Sequence, residues 1–585
     1  MSNPLYDTLF GRHAGSDSPF LHLPRGTVTY ADFLSRSARF AAEITALGLS
    51  AGDRLAVQTD KSPDTLAVYA ACVQTGVVFL PLNTGYTPAE IAYFVENSGA
   101  KLLLCAPEKT SDLAPVATAA GAMLRSLGTR GEGSFAEAAA ARAPQYAVTD
   151  RSGDDLAALL YTSGTTGRSK GAMLSQNNLL SNAHVLKEVW RFTADDVLLH
   201  ALPIFHTHGL FVATNITLIA GGAMIFHEKF DVDALIADLA RATALMGVPT
   251  FYTRLLGDAR FDRNLTRHMR LFISGSAPLL AETHRQFQDR TGHHILERYG
   301  MTETNMNTSN PYDGDRRAGT VGKPLPGVAL KVTDPATGVT LPDGVIGLIE
   351  VRGPNVFQGY WQMPEKTAED LRADGFFVTG DLGVIDDQGY VSIVGRNKDL
   401  IIAGGLNIYP IEIEELLDAQ PGVLESAVVG VPHPDFGESP VAIVVALPGA
   451  QPDAEALLAA LVGIQHRQYP RGDGIHVMDY RARLAALHQQ RIVTIGAVGE
   501  NLSGPGTAQL GNGVFHRGFR QGHDDYLGVQ PQRRPVADQG HFAVFHRHVR
   551  QCAMQFEMPD APTCGPRHAL GRGKLIGHQI GQFGA

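Results

Sequence analysis

Cysteine and tryptophan are scarce in this chain, with four Cys and two Trp among 585 residues. Cys72, Cys105, Cys552 and Cys564 form neither a metal-ligand spacing nor a disulfide framework, which excludes a stapled secreted domain and fits a reducing, cytoplasmic setting. Basic charge is also short. Forty-nine Lys and Arg stand against 59 Asp and Glu, for a net charge of −10. That excludes a nucleic-acid surface, whose affinity comes from clustered Lys and Arg. The start, MSNPLYDTLF, lacks the basic segment and apolar core of a secretory signal. Long apolar runs are missing too. The most apolar stretch, Leu210 to Phe226, carries Asn215, Thr214, Thr217 and the pair Gly221-Gly222, so it reads as a buried helix and strand and not as a membrane span. Internal repeats are absent. What remains is a globular chain too long for a single simple core.

Its organisation follows from periodicity. Residues 28–106 alternate helical patterns (YADFLSRSARFAAEITALG, DTLAVYAACVQTG) with apolar strand patterns (RLAVQ, VVFLPLN, KLLLCAP). Such alternation predicts an α/β architecture with parallel sheet. Residues 107–150 are Ala-rich and weakly patterned, and read as a surface excursion. Alternation resumes over 155–300 in the strand-and-turn units HALPIF, AMIFHEKF, ALMGVPTFY and RLFISGSA. Short strands separated by Gly, Pro and Asp over 319–395 predict a β-rich subdomain, and a small α+β unit begins after Arg396. The expected fold is therefore a large N-terminal domain (1–396) of two α/β sheet subdomains plus a β-rich one. A small hinged α+β domain follows, incomplete here (397–462), and then an aberrant tail (463–585).

One loop carries chemistry by itself. The apolar run LAALLYT leads into TSGTTGRSKG, residues 162–171, a glycine-rich turn with hydroxyls followed by Lys170. Backbone N–H groups and a mobile cation in such a turn can cradle phosphate oxygens. It is not the G-x-x-x-x-G-K-[ST] loop, which occurs nowhere in the chain. The string resembles the phosphate-binding loop of the adenylate-forming superfamily, which includes acyl-CoA synthetases, luciferases and peptide-synthetase adenylation domains.

The resemblance extends along about residues 1–450. It implies that Thr162, Ser163, Gly164, Thr165, Thr166 and Gly167 hold ATP phosphates with Lys170. YGMTETN (299–305) is similar to a second family motif. There Thr302 would contact the α-phosphate and Glu303 would hold Mg²⁺; alone, Glu303 reads as a solvated loop acid. SGSAP (274–278) and ERYG (297–300) resemble the segments around adenine, implicating Ser276, Ala277, Pro278, Glu297, Arg298, Tyr299 and Gly300. In TGD (379–381), Asp381 would clamp the ribose. In GRNKD (395–399), Arg396 would add a ribose or phosphate contact and Lys398 would be the hinge. Gly404 and Gly405 would let the pantetheine of CoA approach.

HALPIFHTHGL (200–210) resembles an acyl-pocket wall. His206 and His208 lie two apart, which suits a strand or turn better than a metal site, and each also reads as a packing residue. With MGVPTFYTRLL (246–256), LFISGSAPLLAETH and ERYGMTETNMNTSNPY, this wall resembles the malonyl-CoA synthetases within the superfamily. That implies Arg254 as the partner of malonate's free carboxylate, with His208, Ser274 and Met301 also at the substrate. The implied co-substrates are ATP with Mg²⁺ and CoA, with no nucleic-acid partner. Two alternatives stay open: a synthetase for methylmalonate or another short acid, and a nucleotide-binding pseudo-enzyme.

The tail departs from the family. Family members end in P-R-x-x-x-G-K, whose lysine should fall near residue 487, yet MDYRARLAALHQQR there has none. PRGDG (470–474) lies too early, and Lys574 too late. From Gly463 onward the chain holds 10 of its 22 histidines and a single lysine. That mixture is expected of a GC-rich gene read out of frame. A genuine appended segment, binding metal through its histidines, is the competing reading.

Overall fold

The computed structural model describes residues 2–162, 169–403, 406–433, 437–447, 449–462 and 492–495. Ser163, Gly164, Thr165, Thr166, Gly167, Gly404, Gly405, the PRGDG string and Lys574 lie outside the described residues.

Three sheets build the large domain. A six-stranded sheet takes in Arg54–Gln58, Val78–Pro81, Leu102–Cys105, Met123–Ser126, Leu156–Thr162 and Lys170–Ser175, with only the last pair antiparallel. The strands VFLP and LLLC are buried at every position, as expected where helices cover both faces of a parallel sheet. Local signals start and stop the covering helices. Pro63–Thr75 is capped by Ser62, opens on proline and ends at left-handed Gly76. Tyr30–Ala46 and Pro88–Ser98 each have a capping box, Thr29/Asp32 and Thr87/Glu90.

The second sheet has nine strands and contains Val197–His200, Ala223–Phe226, Ala244–Gly247, Leu271–Ser274 and Leu296–Met301 in parallel, with antiparallel pairs at both edges. One edge is the N-terminal hairpin Pro19–Leu23/Gly26–Thr29, whose first strand pairs parallel with Ala223–Phe226. The β-rich subdomain is a four-stranded antiparallel meander, Ala329–Thr333, Gly347–Arg352, Phe377–Ile385 and Val391–Arg396. Beyond it, Ile401–Ala403, Leu406–Ile408, Val423–His433 and Gly437–Ala446 form a sheet under the helix Pro410–Asp418. Ile413, Leu417, Val428 and Val444 are buried in this unit's own core. Ile492–Ile495 runs parallel to Gly437–Ala446, a strand within the tail read from sequence as aberrant. No helix among the described residues is long and apolar enough to cross a membrane.

Two expectations need correction. Residues 107–150 are no excursion: the helix Thr110–Ala119 leads to Met123–Ser126, the outer strand of the six-stranded sheet. Every position of MLRS is half-buried, so an edge strand leaves no alternation to read. His208, expected in a strand or turn, opens a wide helical turn, His208–Thr214, continued by Asn215–Ala220. Every residue of that turn is buried, so no polar face marks it as helix.

Candidate functional site

The antiparallel pair Leu156–Thr162/Lys170–Ser175 places Thr162 opposite Lys170 at the mouth of the glycine-rich loop. Lys170 Nζ is 3.5 Å from Asp370 Oδ2 and 4.2 Å from the Tyr360 ring centroid. Thr162 Oγ1 lies 3.5 Å from Glu303 Oε1, and the Tyr360 hydroxyl donates to the same oxygen at 3.1 Å. Glu303 sits in the turn between Leu296–Met301 and Asn305–Ser309, with half-buried Thr302 beside it. It is not a solvated loop acid, being only 5% exposed. Burial raises its pKa, opposed by hydrogen bonds from the backbone and Tyr360 and by the charges of Lys170 and Arg396.

Strand alternation divides ERYGM between two compartments. Tyr299 donates its hydroxyl to Asp381 Oδ2. Asp381 also pairs with Arg396 Nε at 2.6 Å, since the two are register partners on adjacent strands. The Thr379 hydroxyl fixes the irregularity in this strand, accepting from the Asp381 N–H at 3.1 Å and donating to the Ile349 carbonyl at 2.8 Å. Asp381 is 3% exposed. Its pKa is raised by burial, with Arg396 and Tyr299 pulling the other way. Lys398 is exposed on the short 3-10 turn Asn397–Asp399 that follows.

Arg298 turns the other way, against the loop after Leu271–Ser274. A Cβ on Gly275 would lie 2.4 Å from its Cζ, so only glycine lets the guanidinium lie on that backbone. Arg298 is 3% exposed, and its Nε and Nη2 have no hydrogen-bond partner among the described residues. Burial lowers its pKa to about 9, which leaves it charged at neutral pH. Ser276, at φ 70°, presents its Oγ 3.2 Å from His208 Nδ1. His208 Nε2 and Ser274 Oγ are buried without hydrogen-bond partners among the described residues. Burial, and then the Arg298 charge, hold His208 neutral. Ala277 and Pro278 continue this loop, and Gly300 and Met301 end the strand. Glu297 is buried, with its carboxylate 3.5 Å from His284 Nδ1 and its pKa raised by burial.

Arg254 stands apart from the closed pocket expected for it. It is exposed on the last turn of Pro249–Leu256, its guanidinium 6.0 Å from the Phe230 ring centroid. Tyr360 and Asp370 were missed from sequence. A tyrosine in QGYW and an acid in a charged helix carry no signal, because their contacts to Glu303 and Lys170 span 57 and 200 residues.

Comparison with known proteins gives the family. Residues 11–361 match the AMP-binding enzyme family, and residues 412–479 match the AMP-binding enzyme C-terminal domain, which runs past Gly463. A feruloyl-CoA synthase of Amycolatopsis sp. is 38% identical over 74% of this chain and 87% of its own length. A malonate–CoA ligase of Arabidopsis thaliana is 36% identical over 68% of each. The crystal structure of ATP-bound MatB from Rhodopseudomonas palustris superposes with a TM-score of 0.78 at 56% identity, covering 80% of this chain and 93% of that one. The chain belongs to the AMP-binding enzyme family and is an AMP-forming acid–thiol ligase of the acyl-CoA synthetase kind.

Proposed function

We propose that the acid is malonate, and that the chain makes malonyl-CoA, AMP and pyrophosphate from malonate, ATP and CoA. The observation that carries this reading is Arg298, a buried guanidinium with two nitrogens unengaged beside His208 and Ser274, each with a buried polar atom unpaired. A buried charge in this state calls for a carboxylate, because a fork of N–H donors and two carboxylate oxygens offset each other's desolvation. A pocket for a plain acyl chain would put apolar groups there. Arg254 would meet the same end of the diacid from the neighbouring helix, and Met301 would line it. The malonate–CoA ligase among the relatives supports the assignment.

In the first half-reaction one malonate oxygen attacks the α-phosphorus, and the bond to the pyrophosphate oxygen breaks. Lys170, Thr302 and the amides of residues 163–167 would neutralise and hold the phosphates, so catalysis is largely positioning and charge stabilisation. Asp381 and Arg396 would take the ribose hydroxyls, and Ser276–Pro278 with Glu297 and Tyr299 would frame the adenine. Glu303 fits a magnesium ion: it offers a buried hard-oxygen ligand beside the Thr162 hydroxyl. Among the described residues no group of three or more His, Cys, Asp or Glu could hold a metal alone, as suits an ion that arrives on the triphosphate. When bound, Mg²⁺ supplies charge neutralisation on the phosphates. In the second half-reaction the CoA sulfur attacks the acyl carbon, the acyl–phosphate bond breaks, and AMP leaves. We divide the labour between residues 1–396 and 397–462, with Lys398 at the hinge and Gly404 and Gly405 at the pantetheine face.

The test is malonate-dependent pyrophosphate release from Mg·ATP by the full chain, with methylmalonate and acetate in parallel. Release with malonate above the others is expected. Preference for acetate refutes the assignment. A second reading rests on the missing lysine near 487: if the chain binds ATP and malonate without releasing pyrophosphate, yet converts pre-formed malonyl-AMP to malonyl-CoA, only the thioester half-reaction remains.

A further inference from the structure

Lys61 and His200 form a buried pair that the reaction above does not use. Lys61 follows the strand Arg54–Gln58 of the six-stranded sheet, and His200 ends Val197–His200 of the nine-stranded sheet. They are 7% and 1% exposed. Lys61 Nζ lies 2.8 Å from His200 Nδ1 and donates to the His200 carbonyl at 2.9 Å, with the Phe226 ring centroid 4.3 Å away. Burial pushes both pKa values well down, so the pair resists charging.

The geometry fixes the imidazole's tautomer. His200 Nε2 is 2.8 Å from the Gly209 carbonyl, which can only accept, so Nε2 carries the proton and Nδ1 accepts from Lys61. The Thr214 hydroxyl donates to the same carbonyl at 2.9 Å. Two side chains on one helical carbonyl account for the wide turn His208–Thr214, since inserted donors loosen the backbone ladder. Gly209 is pinned from the other side as well: a Cβ there would lie 2.1 Å from the Pro203 carbonyl oxygen. The residue before it is His208, which faces Ser276 and Arg298.

We propose that Lys61 is a positioning residue for the acid pocket: through His200 and the Gly209 carbonyl it fixes the turn that carries His208. The inference rests on the acid-pocket reading above. It ties the first sheet to the acid end of the site in the second, and leaves the nucleotide end untouched.

The experiment is calorimetric titration of the full chain with malonate, and separately with Mg·ATP, for wild type, Lys61→Met and Lys61→Gln. Lys61→Met should lose about tenfold or more in malonate affinity, the size expected for one lost hydrogen bond to a buried group. Its ATP affinity should stay within about twofold, and Lys61→Gln, which keeps a donor, should recover most of the loss. Equal losses for both ligands, or none for malonate, overturn the proposal. A second readout needs no acid. In ¹⁵N-histidine spectra, with His200→Gln and His208→Gln assigning the signals, Lys61→Met should alter the Nε2–H state of His200 and shift His208. An unmoved His208 signal overturns the proposal even if wild type binds no malonate, which would separately defeat the acid assignment.

Discussion

At one end of the site Asp381 is deeply buried yet engaged, its carboxylate held by Arg396 and the Tyr299 hydroxyl and its own backbone N–H donating to the Thr379 hydroxyl. At the other end Arg298 is buried to the same degree with two of its nitrogens unengaged. A charge with partners already in place is preorganised, and those partners offset part of what burial costs it. A charge without them is a standing cost that a ligand relieves, and binding is strong where the protein alone is least content. The proposed nucleotide end is thus of the first kind and the proposed acid end of the second. The two should respond to mutation through different ligands and by different amounts of stability.

The sharpest break is Arg298→Met. Truncating one member of a buried charge pair typically removes about 2–5 kcal/mol of binding, so malonate affinity should fall about 30-fold or more. Thermal unfolding should move upward, because exchanging an uncompensated buried charge for an apolar side chain stabilises by about 1–4 kcal/mol. A variant that loses both binding and stability would erase the contrast. Asp381→Asn acts on the other ligand. ATP affinity should drop about tenfold, in line with lost hydrogen bonds to a charged group. The unfolding temperature at pH 7 should hold or rise slightly, since the raised pKa of Asp381 marks a charge that burial disfavours and Arg396 is half-exposed and turns to water.

Arg254→Ala tests where the acid's far end rests. An exposed guanidinium contributes about 1 kcal/mol or less, so malonate affinity should fall less than about tenfold. An effect larger than that of Arg298→Met would move the carboxylate site to the helix Pro249–Leu256. The smallest effect concerns Glu303. Burial raises its pKa, so the carboxylate takes up a proton at a higher pH than an ordinary glutamate. Mg·ATP affinity should therefore weaken as pH falls toward that raised pKa, and Glu303→Gln should bind weakly at every pH. The same shift means that the stability linked to Glu303 is present at low pH and lost as pH rises through the raised value. At pH 7 the glutamine variant should consequently unfold slightly later than wild type. A pH-independent ATP affinity in wild type would contradict this.

The backbone-driven parts were legible in the sequence. YGMTETN announces the turn that joins Leu296–Met301 to Asn305–Ser309 through residue types that a turn needs, and buried parallel strands such as LLLC read as continuous apolar runs. Arg298 was legible as a site residue, but its burial and open guanidinium were not: strand alternation sends it away from Tyr299, and only Gly275 shows how deep it lies. Lys61 and His200 were illegible because their contact joins two sheets across 139 residues. Met123–Ser126 escaped because a half-buried edge has no period. The wide turn at His208 escaped because it is buried all round.

The N-terminal hairpin carries a consequence for how the chain is made. Leu21 and His22 pair with Met224 and Ile225, about 200 residues later. A ribosome adding about 5–20 residues per second delivers that partner roughly 10–40 s after the hairpin emerges. Phe20 and Leu21, fully buried in the finished fold, spend that interval with only the hairpin strand Gly26–Thr29 to pair with. The first sheet can close in the meantime, as its strands end at Ser175. Assembly of the nascent chain is therefore out of sequence order, with its first strand among the later ones to be seated, and a slower stretch of translation just after residue 226 would favour correct docking.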